Sequence, residues 1–386
     1  MSSLTLPPDL LRLVDEGARL VAPAPSTAPA RDVISLCREA LGRPVGSPSL
    51  ADLARGARRV VVIVSDATRD EPRLAMLRAL REALPSHRPT VVIASGTHAP
   101  RDPSTVLDAA TLRDLDVVVH DGGGDDAVIE LGVTERGTPV RLNRVVAEAD
   151  LVVSTGRLRP HYFAGMSGGA KGIFPGCGLS SDIRKNHLLK AHPTARLGVL
   201  DENECRLDME EAARRVPGRV FVLSVVADCD GRYVSAHAGD LVASHREAAR
   251  VARPLFVVRG PRRPVVVATD VPPVTDSLYQ ASKLLPPAGA LLLPGGAAVM
   301  VAPCPEGTGP LATVNEGIYE LGVRLALPPG HRVFLVSSMS DEVVRATYAT
   351  PARSVDEALR AVGAAPMDVT VLHRAGEVIA IAEDEP

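Results

Sequence analysis

The segment Gly156 to Gly176, GRLRPHYFAGMSGGAKGIFPG, gathers more chemistry-bearing residues than any other stretch of the chain. Within it, Ser167-Gly168-Gly169 offers backbone N–H groups unobstructed by side chains, a shape that can cradle one phosphate, and Lys171 follows closely. It is not a nucleotide-triphosphate loop. The Walker pattern needs Gly-Lys followed by Ser or Thr, whereas Ala170 precedes this lysine and Gly172 follows it. A tight glycine turn between packed elements would explain the glycines, but not His161 and Lys171 together.

Lysine is scarce here. Of 43 basic residues only Lys171, Lys185, Lys190 and Lys283 are lysines; the rest are arginines. A lysine retained against that bias is a candidate for a task guanidinium cannot perform, such as a covalent bond through a primary amine or the fit of a compact ammonium. Lys185 and Lys190 read as surface residues, whereas Lys171 lies in a glycine-rich apolar segment. Three imidazoles join it: His98, His161 and His187, the last preceded by Asn186 on a predicted helix. Neutral imidazoles are the usual proton shuttles and nickel or zinc ligands. Residue type alone leaves a three-histidine zinc site open, but the spacing matches neither HExxH nor any compact zinc pattern.

These residues need elements to position them. The runs Arg58 to Ser65, Thr90 to Ser95, Leu115 to His120 and Asp150 to Ser154 read as buried strands, the first followed by a helical pattern from Glu71 to Leu84. Further strands are expected at Val220 to Ala227, Val265 to Thr269, Ala290 to Leu293, Arg332 to Val336 and Asp368 to Leu372. Helices are expected over Met1 to Leu20, Ser181 to Ala191, Ser244 to Arg253, Ser277 to Leu285, Leu311 to Leu325 and Asp356 to Val362. Strands alternating with helices predict an α/β fold with mainly parallel sheets. The prolines and glycine of Gly260 to Pro264 suggest a boundary, giving an N-terminal α/β domain over 1–260 and a C-terminal one over 261–386. Ala22 to Pro29 reads as a linker or surface arm. Ligands of such sheets bind beyond the carboxyl ends of the strands, so Asp66 to Arg69, Gly96 to His98 and Gly156 to His161 should converge on one crevice between the domains.

Composition narrows the partners. A net charge of −3 gives no footprint for nucleic acid or an anionic membrane, and five Phe, five Tyr and no Trp leave few stacking platforms. No run approaches 18 uncharged apolar residues, and the five scattered cysteines form no CxxC pair, so a cytoplasmic protein with reduced thiols is expected.

The run PHYFAGMSGGAKGIFPG followed by NH, with the earlier SDATR and GTH and the later LYQASK and CPEGTG, resembles the nickel-dependent lactate racemase family from about Arg58 to Gly309. That resemblance implies a nickel pincer nucleotide, a nicotinic-acid-derived mononucleotide whose pyridinium ring carries two sulfur arms and binds nickel through both sulfurs and a ring carbon. Lys171 would be tethered to one arm as a thioamide, His187 would be the fourth nickel ligand, and the phosphate would lie on Ser167, Gly168 and Gly169. His98 and His161 would take the hydroxyl proton from opposite enantiomers of a 2-hydroxy acid while the cofactor ring accepts hydride. Gln280 and Lys283 would bind the substrate carboxylate; Asp66 and Arg69 would orient a histidine or hold substrate or cofactor. Proteins of cofactor biosynthesis would load the site.

The segment Thr68-Arg69-Asp70-Glu71-Pro72 lacks the proline that commonly follows the TR pair in the family, and no Trp is present to supply an aromatic wall. Arg157 and Arg159 could receive a second substrate carboxylate, which keeps malate-like, longer and sugar acids open beside lactate. A sugar-acid epimerase or related redox enzyme on the same cofactor, and a cofactor-binding protein without turnover, are the alternatives.

Overall fold

The computed structural model describes residues 6–24, 29–124, 127–309 and 313–385. Two six-stranded sheets organise the chain. The first runs in the order Tyr233–Gly239, Arg219–Ala227, Leu151–Leu158, Val60–Ser65, Thr90–Ala94, Val117–Val119, with every neighbouring pair parallel except the first. Alternation along these strands divides their side chains between two cores. Val60, Val62 and Val64 pack on one face with helices Val33–Leu41 and Arg73–Ala83, and Val61 and Ile63 pack on the other with helix Glu204–Arg214. Both faces are covered, which is why these strands read as continuous apolar runs.

The second sheet runs Arg19–Val21, Val369–His373, Arg263–Thr269, Leu292–Val301, Arg332–Val336, Thr350–Ala352, with every neighbouring pair parallel. Its first strand was expected to be helix. The helix instead spans Pro8–Asp15, and Gly17 at φ +116° turns the chain into Arg19–Val21; the expected helical stretch Met1 to Thr5 lies outside the described residues. The described start of the chain, assigned by sequence to the N-terminal domain, therefore packs in the sheet built by residues 263–373. Part of the Ala22 to Pro29 arm and the first residues of the Leu311 to Leu325 helix also fall outside the described residues. The rest of that helix is a π-helical stretch, Thr313–Glu320, followed by a 3-10 turn, Val323–Ala326.

In the first sheet the strand order reverses between Val60–Ser65 and Leu151–Leu158, so the loops leaving their carboxyl ends diverge and open a crevice. In the second sheet the reversal lies between Arg263–Thr269 and Val369–His373. Arg159 Nη1 donates to Glu377 Oε1 at 3.0 Å and the Arg374 guanidinium to the Cys229 carbonyl, joining the loops of the two sheets. All five cysteines are buried free thiols. Among the described residues no helix is long and apolar enough to cross a membrane.

Candidate active site

The loop after Val60–Ser65 is held from beneath. Glu71 accepts the Ser65 amide at 3.0 Å and lies 2.5 Å from the Thr155 hydroxyl on the neighbouring strand, while Arg73 donates to the Ser65 carbonyl at 2.7 Å and to those of Asp66 and Arg69. This fixes Asp66. Its Oδ1 accepts the Thr68 hydroxyl at 2.6 Å and its Oδ2 meets His98 Nδ1 at 2.7 Å. Burial would raise the Asp66 carboxyl, but the bonds from His98 and Thr68 outweigh it and hold the group below its ordinary value. A carboxylate can only accept, so Nδ1 of His98 carries a hydrogen, and in the neutral ring the lone pair is on Nε2.

The glycine segment is pinned through its carbonyls. His245 Nε2 donates to the Ser167 carbonyl at 2.9 Å, Arg206 Nη1 to those of Met166 and Gly168 at 3.3 and 3.2 Å, and the Ser154 hydroxyl to that of Gly169 at 2.9 Å. A trans peptide sets its N–H opposite its C=O, so anchoring the carbonyls of residues 167 to 169 on the core side turns the N–H groups of 168 to 170 the other way. N–H groups so turned could hold a small anion. A Cβ at Gly169, at φ +62°, would lie 2.7 Å from His245 and 2.8 Å from Arg206; one at Gly172 would lie 2.3 Å from the Ser154 hydroxyl. Ser167 itself is fully engaged: its hydroxyl donates to the Arg157 carbonyl at 2.7 Å and accepts the Arg159 amide at 2.8 Å, its own amide donates to the Arg159 carbonyl at 2.8 Å and its carbonyl accepts from His245, so an anion here would meet the N–H groups of residues 168 to 170 and not Ser167.

From this turn Lys171 reaches the ring of Phe163, its Nζ 5.5 Å from the centroid. The same ring meets His161 edge-on at 4.6 Å and His187 at 4.9 Å. One aromatic side chain thus gathers the predicted tether, the predicted metal ligand and one predicted acid–base residue. Burial, followed by Arg69 and Arg206, holds the Lys171 amine well below the usual lysine range. Burial, then Lys171 and Lys190, pushes His187 down to about 3. His161 is likewise held well below its ordinary value by burial, then by Lys171, Lys283 and Arg69. Its Nδ1 accepts the Ala164 amide at 3.3 Å, which places the ring hydrogen on Nε2.

The other sheet contributes Lys283, which donates to Gln280 Oε1 at the end of helix Leu278–Ala281. Burial, then Arg69 and Arg159, pushes the Lys283 ammonium down to about 7. The field of Arg69 acts on Asp66, His161, Lys171 and Lys283 together, which ties His98 and its carboxylate to the rest of the group. A recess of about 20 Å³ beside Lys283 is lined by Tyr162, Tyr279, Ser282, Ile318 and Val323.

Residues 10–198 match the family model of the lactate racemase N-terminal domain. The chain is 32% identical over 291 residues to the lactate racemase of Lactiplantibacillus plantarum, covering 73% of this chain and 67% of that one. It is 28% identical over 360 residues to the lactate racemase of Thermoanaerobacterium thermosaccharolyticum, covering 84% of each. The solved lactate racemase apoprotein from the latter organism superimposes with a TM-score of 0.84 at 25% identity, over 98% of this chain and 96% of that one. The chain belongs to the lactate racemase family. A Thermotoga maritima protein, TM-score 0.69 at 15% identity over 92% of this chain and all of that one, shares the fold.

As a member of that family the protein is an isomerase of the racemase type. Two expectations change against the geometry. Arg157 and Arg159 are not waiting for a second carboxylate: Asp70 already lies between them, 3.0 Å from Arg159 Nη2 and in contact with Arg157, and Arg159 also holds Glu377. Lys190, expected at the surface, is 8% exposed and bears electrostatically on His187. Sequence reasoning passed over Phe163, Arg206, His245, Ser154, Glu71 and Arg73. Phe163 sits inside the recognised motif, but nothing in one sequence shows which residues share its ring.

Proposed function

We propose that this protein racemises a short 2-hydroxy acid, lactate or a close relative, using a nickel pincer nucleotide tethered to Lys171. One observation carries the reading: an amine whose charged form burial disfavours shares the Phe163 ring with His161 and His187. An uncharged amine is the nucleophilic form, the one able to make a thioamide.

The residues present fit such a cofactor. Among the described residues no three His, Cys, Asp or Glu side chains come together as a metal site, so His187 would give one ligand and the cofactor would bring the others. Sulfur plus imidazole is a reasonable set for nickel(II). The N–H groups turned outward at residues 168 to 170 would hold the phosphate. When bound, the cofactor supplies a nickel-activated pyridinium carbon that can accept hydride.

The chain's own groups do the rest. Lys283, steadied by Gln280, and Arg69 would hold the substrate carboxylate, which supplies the negative charge these cations lack. His98, with Asp66 behind it, would take the hydroxyl proton from one enantiomer through Nε2, and His161 would serve the other once its Nδ1 lone pair is released from the Ala164 amide. General acid–base assistance of this kind is worth about 10²–10⁴-fold. The recess beside Lys283 has room for about one methyl-sized group, which favours a short side chain. In this reading residues 1–260 carry the cofactor and histidine loops together with Arg69, and 261–386 contribute Gln280 and Lys283 to substrate binding.

The test is mass spectrometry of the Lys171 peptide from protein co-produced with the cofactor-making enzymes, together with racemisation of a panel of 2-hydroxy acids. The expected result is an adduct on Lys171, none in Lys171→Arg, and loss of optical activity fastest for short aliphatic acids. Wild-type protein lacking the adduct yet racemising at full rate overturns it.

A further inference from the structure

Asn186 is fully buried although it is polar, which is costly unless its donors and acceptors find partners. They do. Its Nδ2 donates to Asp208 Oδ2 at 2.7 Å and to the Cys205 carbonyl at 3.3 Å, while its Oδ1 faces the Cys205 thiol at 3.5 Å and His187 Nδ1 at 3.1 Å. Burial pushes the Cys205 thiol up to about 12, so it stays protonated and serves as a donor.

The direction of every bond follows from one end. Thr134 Oγ1 accepts the Thr138 amide at 3.0 Å and donates to Asp208 Oδ1 at 2.5 Å, leaving the other oxygen of this fully buried carboxylate for Asn186. The Cys205 carbonyl can only accept, so Asn186 must turn its NH₂ toward it and toward Asp208, and its own carbonyl toward His187. His187 must then donate from Nδ1, and its lone pair is left on Nε2. The chain of contacts crosses three elements: the turn after strand Val128–Val133, helix Glu204–Arg214 and the last turn of helix Ser180–His187.

We propose that Thr134, Asp208 and Asn186 are positioning residues that lock His187 in its Nδ1–H form and orient its ring, so that Nε2 is presented to a metal. The proposal rests on the reading of His187 as the nickel ligand. Outer partners of this type typically change metal affinity by about 10–100-fold.

Two measurements test it. In ¹⁵N-histidine-labelled protein made without the cofactor pathway, His187 is expected to show a protonated Nδ1 and an unprotonated Nε2; the reverse pattern overturns the proposal and needs no variant. In loaded protein, nickel and Lys171 adduct are measured separately under chelator challenge. Asn186→Leu and Asp208→Asn are expected to lower the nickel held per adduct about 10–100-fold with the adduct at wild-type level. Thr134→Val should lose nickel more mildly, and Thr134→Ser, which keeps the hydroxyl, should match wild type. Wild-type nickel retention in folded Asn186→Leu overturns the chain. If His187→Ala keeps its nickel, the ligand reading itself falls and the proposal with it, a failure recognisable because the tautomer is measured apart from the metal.

Discussion

His98, on the loop after Thr90–Ala94, meets a carboxylate from the loop after Val60–Ser65, whereas His161, just past Leu151–Leu158, meets two aromatic neighbours and feels a set of cations. His98 is 38% exposed, bound through Nδ1 to Asp66, with its Nε2 lone pair available. His161 stacks on Tyr162 at 5.5 Å, meets Phe163 edge-on at 4.6 Å, and feels Lys171, Lys283 and Arg69. A racemase must treat both faces of its substrate alike, yet these two imidazoles are unlike. The difference teaches that the site lacks one negative charge. A substrate carboxylate between Arg69 and Lys283 would offset the cations that suppress protonation of His161.

The strongest way to break this comparison is to remove each imidazole in turn. His98→Asn and His161→Asn are each expected to lower kcat/KM by about 10²–10⁴-fold, measured by polarimetry from either pure enantiomer. Enantiomers have equal free energies, so the loss must be the same from both starting acids. A variant with wild-type kcat/KM removes that histidine from the reaction. Asp66→Asn sharpens the contrast, because only His98 has a carboxylate to lose. A charge-assisted bond of about 1.5–3 kcal/mol corresponds to a drop of roughly 10- to 150-fold, expected in kcat with KM little changed. A change confined to KM would make Asp66 a substrate contact instead.

The pH profile follows from Lys283. In the empty protein its ammonium is pushed down to about 7, so above that pH substrate binding must also take up a proton. KM is expected to rise about tenfold per pH unit above about 7, and Lys283→Arg should flatten the rise because guanidinium stays charged. The smallest effect is the most direct. Adding an unreactive carboxylate such as propionate should move the His161 titration upward, followed by NMR. No movement of His161 would mean that the carboxylate binds elsewhere.

Most of the first sheet was legible because strands buried on both faces must be continuous β-branched runs, as in Val60–Ser65 and Thr90–Ala94. Half-buried strands were not. Val128–Val133 and Tyr233–Gly239 carry few fully buried residues, and no strong apolar run marks them. Lys171 stood out because a lysine is rare in this chain, and the structure sets it beside His161 and His187. The Arg157 and Arg159 pair misled because charge type was visible and its partners, Asp70 and Glu377, lie far away along the chain. Lys190 misled for the same reason: its burial is made by tertiary packing that a helical pattern does not display.

The pairing of Arg19–Val21 with Val369–His373 bears on how the protein is made. The six strands of the first sheet lie within one continuous stretch, residues 60–239, and can assemble while synthesis continues. The early strand Arg19–Val21 must wait for its neighbour, the last to be added to the second sheet, so the first sheet is finished well before the second. A nascent chain would therefore display the Lys171 turn before the second sheet is complete.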